Sequence, residues 1–321
     1  MTRVTVVGGG FAGVAAAVAA AQTGAQVSLY ERATHLGGVA VSAGHRTLCG
    51  LAPIDAATPE LLEPSLTGAW LPRLATGAPE RRGRVWLWPT APEVLAVGLA
   101  AGAAAAGVEV RLETDAPGAP DGPMIDASGA AWGRPTTRAA AQWGAWRAEI
   151  ALALPAGPSG RVAALRRLAG LTPGAVALEP LGPGRWQLTV DLPPHTPAAS
   201  IAQQVLAALG ARLDGQAVVV ARDEGGHSGV TLAECFATSE RGLCWAAWPG
   251  EFHGPAGITW TWPTGARHGV PVSVARPDGA PAHWWCCGRG LAVSSDAAAA
   301  LRVTGTALAL GAAIGTLAAA S

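Results

Sequence analysis

Lysine and asparagine are absent from this 321-residue chain, and all 22 of its formally positive residues are arginine. Without lysine there is no Schiff base with pyridoxal phosphate or a carbonyl substrate, no G-x-x-x-x-G-K-[ST] phosphate loop and no lysine general acid or base. Net charge is missing too. The 22 arginines balance 22 acids, so no long-range field draws in a polyanion, and nucleic acid is excluded as a partner. The five cysteines (Cys49, Cys235, Cys244, Cys286, Cys287) are odd in number and lack metal-ligand spacing. They indicate neither a disulfide framework nor a metal site, and they point to the reducing cytoplasm. No membrane span is expected. Residues 303–320 are uncharged over 18 positions but consist largely of Ala, Gly and Thr, the composition of a helix packed closely inside a protein. The length fits two domains, or one large α/β domain with an insertion.

What is present begins at the amino terminus. Val4–Val7 has the β-branched character of a parallel strand buried on both faces. It runs into Gly8-Gly9-Gly10-Phe11-Ala12-Gly13 and then an Ala-rich helical stretch to Gln22. This is G-x-G-x-x-G between a strand and a helix. Gly8 allows the tight turn, Gly10 admits a pyrophosphate to the backbone, and Gly13 lets the helix approach the strand. A second strand, Gln26–Tyr30, ends at Glu31, whose carboxylate can accept hydrogen bonds from ribose hydroxyls. These residues predict a dinucleotide site.

After Glu31-Arg32 the chain reads Ala33-Thr34-His35-Leu36-Gly37-Gly38, and further on Leu48-Cys49-Gly50-Leu51. Here it resembles the FAD-dependent oxidoreductase family of the glutathione-reductase-like flavoproteins. That resemblance implies FAD rather than NAD, bound by Gly8, Gly10, Phe11, Ala12, Gly13, Glu31, Arg32, Gly37 and Gly38. It also implies that a helix from Pro92 to Gly107 and a strand Val108–Leu112 continue the Rossmann-like parallel sheet, with Ala116 near the adenine. Met124-Ile125-Asp126-Ala127-Ser128-Gly129 is similar to the superfamily's Ile-Asp-Ala-Thr-Gly strand end and places Ser128 and Gly129 near the flavin phosphates. Trp284–Gly290 followed by residues 294–305 is similar to the family's closing block. It brings Gly288, Arg289, Arg302, Thr304 and Gly305 to the cofactor, the last two offering helix-terminal N–H groups to the flavin edge. Cys49 is expected to be a packing residue. The superfamily's β-meander is replaced here by a short link, Ala116–Gly122.

The FAD-binding domain is thus expected to be discontinuous, over 1–135 and 280–321. Residues 136–279 would form an inserted α+β substrate domain, a lid against the flavin. Its expected elements are a helix over Arg161–Ala169, a strand Arg185–Val190, a helix Ala198–Leu209 and a strand Gln216–Ala221. Glu251 and His253, at i and i+2 on an extended segment, lie on one face as an acid/base pair, and His227 is a further candidate. Thirteen tryptophans stand against one tyrosine and three phenylalanines. Trp245, Trp248, Trp260 and Trp262 either line an aromatic substrate pocket or fill the core. The expected activity is hydride transfer between a small organic substrate and flavin N5, with an external electron donor or acceptor. The alternatives are a flavin monooxygenase and a non-catalytic flavin-binding accessory or maturation protein. Trp260-Thr261-Trp262-Pro263 resembles a segment of flavin halogenases, whose chemistry needs the lysine this chain lacks.

Overall fold

The computed structural model describes residues 2–118, 121–129, 144–155, 157–221, 229–254, 257–277 and 279–321. The chain divides into two compact units, one of residues 1–138, 224–250 and 261–321, the other of residues 139–223 and 251–260.

The first unit opens with β1 (Arg3–Val7), α1 (Phe11–Gln22), β2 (Gln26–Tyr30), α2 (Gly38–Ser42), β3 (Thr47–Leu48) and α3 (Pro64–Leu74). It continues through β4 (Glu80–Arg82), β5 (Val85–Pro89), α4 (Pro92–Ala105), β6 (Glu109–Arg111) and β7 (Met124–Asp126). In the second unit lie β8 (Gly144–Ala151), α5 (Pro158–Leu168), β9 (Val176–Gly182), β10 (Arg185–Leu192), α6 (Ala198–Leu209) and β11 (Arg212–Ala221). The remaining elements are α7 (Leu232–Ala237), β12 (Trp245–Ala246), β13 (Gly250–Gly254), β14 (Gly257–Thr261), β15 (His268–Gly269), β16 (Trp284–Cys286), α8 (Ser295–Leu301) and α9 (Thr304–Ala320).

Five strands of the first unit pair in the order β16-β7-β1-β2-β6, and every pairing is parallel. A parallel sheet has both faces covered, and Val4, Val6, Leu29, Met124, Ile125 and Cys286 are accordingly buried. Helix α1 is buried from Phe11 through Ala20, so it is an interior helix without a polar stripe. It lies on α9 with almost no side chain between them. A Cβ at Gly311 would stand 2.1 Å from the Ala12 carbonyl oxygen, and one at Gly315 would stand 2.1 Å from that of Ala16. The equal four-residue steps mean that the two helices run in the same direction. Among the described residues no single helix is long and apolar enough to cross a membrane, although α8 and α9 would pass that test together across a 98° bend.

The second unit is built on an antiparallel sheet in the order β11-β8-β10-β9. Strand alternation sends Trp146, Ala148, Ile150, Leu178, Leu188, Val190 and Leu192 to one face, where they pack with Ala164 and Leu168 of α5 and Val205 and Leu209 of α6. The opposite face carries Arg147, Glu149, Gln187, Thr189 and Asp191, aligned by the β8–β10 register. Strands β13 and β14 form a separate two-stranded sheet.

These units divide the chain at other points than the expected insertion over 136–279. Residues 229–250 and 261–277 are bonded into the first unit. Ile54 N–H donates to the Ala266 carbonyl at 2.8 Å, and Val230 N–H to that of Ala292 at 3.3 Å. Glu63 accepts from Arg241 Nη2 at 2.8 Å and from Trp245 N–H at 2.9 Å. Residues 139–223 and 251–260 make up the second compact unit.

Candidate functional site

The turn between β1 and α1 accepts only glycine at two of its positions. Gly8 has φ +104° and donates to the Tyr30 carbonyl at 2.8 Å. A Cβ there would lie 2.4 Å from the Ala127 carbonyl oxygen, and a Cβ on Gly13 would lie 1.9 Å from that of Gly8. Gly10 differs. A Cβ on it would meet nothing within 4 Å, so open space lies beside the start of α1. That helix end has neither a capping side chain nor an acidic residue in its first turn. Its unpaired amides and positive dipole end therefore favour an anion.

Glu31 is fixed at the edge of this turn. One carboxylate oxygen accepts from Gly9 N–H at 2.6 Å and the other from Ala33 N–H at 2.8 Å. The Gly37-Gly38 pair closes the other side, with Gly37 N–H donating to the Gly9 carbonyl at 2.8 Å and Gly10 bridging to Gly37. Arg32 pairs with Asp115 at 2.5 Å, both exposed, and Ala116 follows in the same loop. A pair so open to water adds little stability, but it ties the loop after β2 to the loop after β6.

The end of β7 completes this side. The Asp126 carboxylate accepts from the Ser128 hydroxyl at 2.7 Å and the Ser128 amide at 3.0 Å. Gly129, at φ +70°, has Arg289 Nε 3.3 Å from where its Cβ would stand, and a Cβ on Gly288 would be 3.5 Å from that of Ala12. The structure therefore gathers Gly8, Gly10, Phe11, Ala12, Gly13, Glu31, Gly37, Gly38, Ser128, Gly129, Gly288 and Arg289 around the α1 terminus.

The start of α9 differs from expectation. The Gly305 amide, expected to point at a flavin edge, donates instead to the Cys49 carbonyl at 2.8 Å, and the Thr304 hydroxyl accepts from Cys49 N–H at 2.9 Å. The Cys49-Gly50 segment lies so close that a Cβ on Gly305 would be 2.4 Å from the Gly50 carbonyl oxygen. In this turn the buried hydroxyl of Thr306 has no hydrogen-bond partner. An unsatisfied buried hydroxyl is costly and calls for an explanation. The Thr-Gly-Thr spacing from Thr304 is the sequence signal that marks Thr306. Arg302 stands at the bend, as the C-cap of α8.

In the second unit, His253 reaches Asp191 through Nδ1 at 2.6 Å and Glu251 through Nε2 at 2.7 Å. The i, i+2 pair is therefore brought together, along with an aspartate that the sequence reading did not select. Its signal was the polar alternation Gln187, Thr189, Asp191 along β10. His227 lies outside the described residues.

The four tryptophans fall in different units, with Trp245, Trp248 and Trp262 in the first and Trp260 in the second. Trp245 and Trp262 offer ring faces to the Arg267 and Arg84 guanidiniums at 4.1 and 4.3 Å and pack on Ile54, Leu62 and Ala247. That is a structural use. Burial, with nearby Asp296 and Glu234, pushes the Cys235 thiol up to about 12, and burial likewise raises Cys244 and Cys287. These sulfurs stay protonated and unreactive at neutral pH. Among the described residues no group of His, Cys, Asp and Glu could hold a metal ion.

The residues fit a dinucleotide. Open space at Gly10, an uncapped helix terminus, a fixed carboxylate for ribose hydroxyls, a guanidinium beside Gly129 and an unsatisfied Thr306 hydroxyl are the groups such a ligand would satisfy.

A family model described as FAD dependent oxidoreductase matches residues 3–134 and 207–321. No curated protein matches the chain. Among solved structures it is similar to BexE, described in work on oxidation during BE-7585A biosynthesis, at 14% identity and TM-score 0.50, covering 91% of this chain and 57% of BexE. It is also similar to the Diels-Alderase PyrE3 of pyrroindomycin biosynthesis, at 13% identity and TM-score 0.43, covering 92% of this chain and 61% of PyrE3. A third is 2-methyl-3-hydroxypyridine-5-carboxylic acid oxygenase, at 17% identity and TM-score 0.40, covering 68% of this chain and 71% of that one. The chain thus spans less than two thirds of BexE and of PyrE3. The likeness to BexE is one of fold.

Proposed function

Because the chain belongs to the FAD dependent oxidoreductase family, with FAD as its cofactor, we propose that it transfers a hydride between a small organic substrate and the flavin, exchanging electrons with an external donor or acceptor. The observation that carries this reading is the bare start of α1, where Gly10 faces open space beside the fixed Glu31 carboxylate. FAD, when bound, supplies the two-electron redox centre, with hydride entering or leaving at N5.

The chain's own residues would do the rest. The α1 amides and the Arg289 guanidinium would neutralise the diphosphate. Glu31 would accept from ribose hydroxyls through lone pairs its two amide bonds leave available. Gly37 and Gly38 would let the backbone pass close to the ligand, Arg32 and Ala116 would border the adenine end, and Ser128 would add a hydroxyl at the phosphates. At the flavin end, Arg302, Thr304 and Gly305 would position the first turn of α9, with the Thr306 hydroxyl added to that set. Hydride removal from a C–H bond leaves a proton to be accepted, and Glu251 with His253 is the proposed acid/base pair. None of the five cysteines forms a disulfide, which supports a reducing, cytoplasmic setting.

The purified protein should be yellow, with flavin absorption bands. A preparation that stays colourless after incubation with FAD overturns the reading. Anaerobic mixing with candidate substrates should bleach the flavin stoichiometrically with product formed. Incorporation of an oxygen atom from O₂ into product would instead identify a monooxygenase, and bound flavin that no substrate or donor reduces would identify a binding protein.

A further inference from the structure

Asp191, His253 and Glu251 stand in line within the second unit, Asp191 Oδ2 2.6 Å from His253 Nδ1 and Glu251 Oε1 2.7 Å from His253 Nε2. Both are lengths of charge-assisted hydrogen bonds. Each contact must contain a proton, because a carboxylate oxygen facing an imidazole lone pair at this distance is repelled. A neutral imidazole brings only one N–H. Three titratable groups therefore share two protons. They do so as an imidazolium between two carboxylates or, with the Nε2 proton moved across, as a Glu251 carboxylic acid donating to a neutral ring. The net charge of the three groups is −1 either way.

Burial makes the arrangement specific. The side chains of His253 and Asp191 are 3% and 2% exposed and that of Glu251 is 19% exposed. Water does not readily replace either partner of the ring, and Glu251 is the member that reaches solvent. The sheet behind Asp191 presents Arg147 and Glu149 from β8, Glu179 from β9, Arg185 from β10 and Arg212 and Asp214 from β11, the last paired with Arg185. Strand β14, beside β13, has no titratable residue.

We infer that Asp191, His253 and Glu251 form one proton-sharing array, in which Asp191 is a positioning residue that keeps His253 doubly protonated and Glu251 is the outlet for the shared proton. His253, engaged at both nitrogens, is not a free base. In the transfer, the His253 Nε2–H bond breaks as the Glu251 Oε1–H bond forms, with no change of oxidation state. When Glu251 passes that proton outward, a proton returns to the three groups by the same route through Glu251. This rests on the proposed acid/base role only for what receives the proton; the two-proton state rests on the geometry.

Burial alone favours a neutral ring, whereas each adjacent carboxylate favours the imidazolium by roughly 1–3 pH units. The test is ¹⁵N NMR of histidine-labelled, FAD-loaded full-length protein, with His253→Gln used to assign the ring signals. At pH 7.5, where an unperturbed histidine is only about one-tenth protonated, both nitrogens of His253 should be protonated. Asp191→Asn and Glu251→Gln should each lower the titration midpoint by about one pH unit or more. A wild-type spectrum with one bare ring nitrogen at pH 7.5 overturns the inference without recourse to any variant, as does an unchanged midpoint in Asp191→Asn. Neither readout depends on turnover, so absence of hydride transfer and absence of the array are separate results.

Discussion

Glu31 is held on both carboxylate oxygens by backbone amides, those of Gly9 and Ala33. Hydrogen bonds to a charged group are worth about 1.5–3 kcal/mol each, and the Gly9 bond also sets the shape of the cofactor turn. Glu31→Ala should therefore cost roughly 2 kcal/mol or more in stability. It should also weaken FAD retention by at least about tenfold, as flavin absorbance remaining after gel filtration will show. Retention equal to wild type would remove Glu31 from the ribose site. His268 gives a residue-level prediction of a different kind. It is 2% exposed, stacks edge-on against Phe236, and donates from Nδ1 to the Gly269 carbonyl. Burial holds its pKa below the ordinary 6.5. On acidification the unfolded chain takes up this proton first, so the folded state loses stability as pH falls below about 6.5 toward the folded-state value. The loss is at most roughly 1.4 kcal/mol per pH unit. Urea unfolding between pH 7.5 and 5 should show the decline, and His268→Gln should flatten it.

At the scale of elements, the contact of α1 with α9 depends on glycine rather than on interlocking side chains. A methyl group at Gly311 meets the Ala12 carbonyl oxygen at 2.1 Å. A backbone atom inside a buried helix cannot rotate away as a side chain can. Gly311→Ala should thus destabilise the protein by about 1–3 kcal/mol. Because Ala12 lies in the first turn of α1, the same change should loosen FAD as well. Thr316→Ala, on the exposed side of α9, should stay within about 0.5 kcal/mol of wild type. Thermal melts and flavin retention of the two variants decide the matter. The same elements show what could be read in advance. Glycine spacing and β-branched runs made β1, α1 and β2 legible because those residues are dictated locally. Helices α5 and α6 are legible within a few residues from their pattern. Strands β8 and β9 are not. Gly144–Ala151 is rich in alanine, a poor strand former, and its extended state is set by pairing with β10 and β11 on either side. Val176–Gly182 contains Pro180, which an edge strand tolerates and a propensity reading takes as a break. Local pattern supports β10 only from Arg185 to Val190, whereas the strand runs on through Asp191 to Leu192. The partner of His253 was therefore missed, because long-range pairing and not local sequence carries that strand to Leu192.

For the whole molecule, the gathering of all the proposed FAD contacts within the first unit has a thermodynamic consequence. A ligand that binds only the folded state stabilises it by RT ln(1 + [L]/Kd), about 2.7 kcal/mol at one hundred times Kd. A unit of roughly 150–250 residues shifts its melting temperature by about 2–4 °C per kcal/mol, so FAD should raise the unfolding of the first unit by roughly 5–11 °C. The second unit has its own core between one sheet face and helices α5 and α6. It contains none of the residues assigned to the cofactor, so its unfolding should follow the Asp191–His253–Glu251 array instead. On the proposed two-proton state the hydrogen bonds that join its members are complete only while the shared proton is present, the opposite sign to His268. Calorimetry of the apoprotein with and without FAD, at pH 7 and pH 9.5, should separate the two contributions. One transition should move with FAD, and the other should fall at alkaline pH in wild type but not in His253→Gln. If FAD leaves every transition in place, the first unit is not where the cofactor binds. If His253→Gln keeps the alkaline decline, that decline belongs to other groups and the array does not hold the second unit.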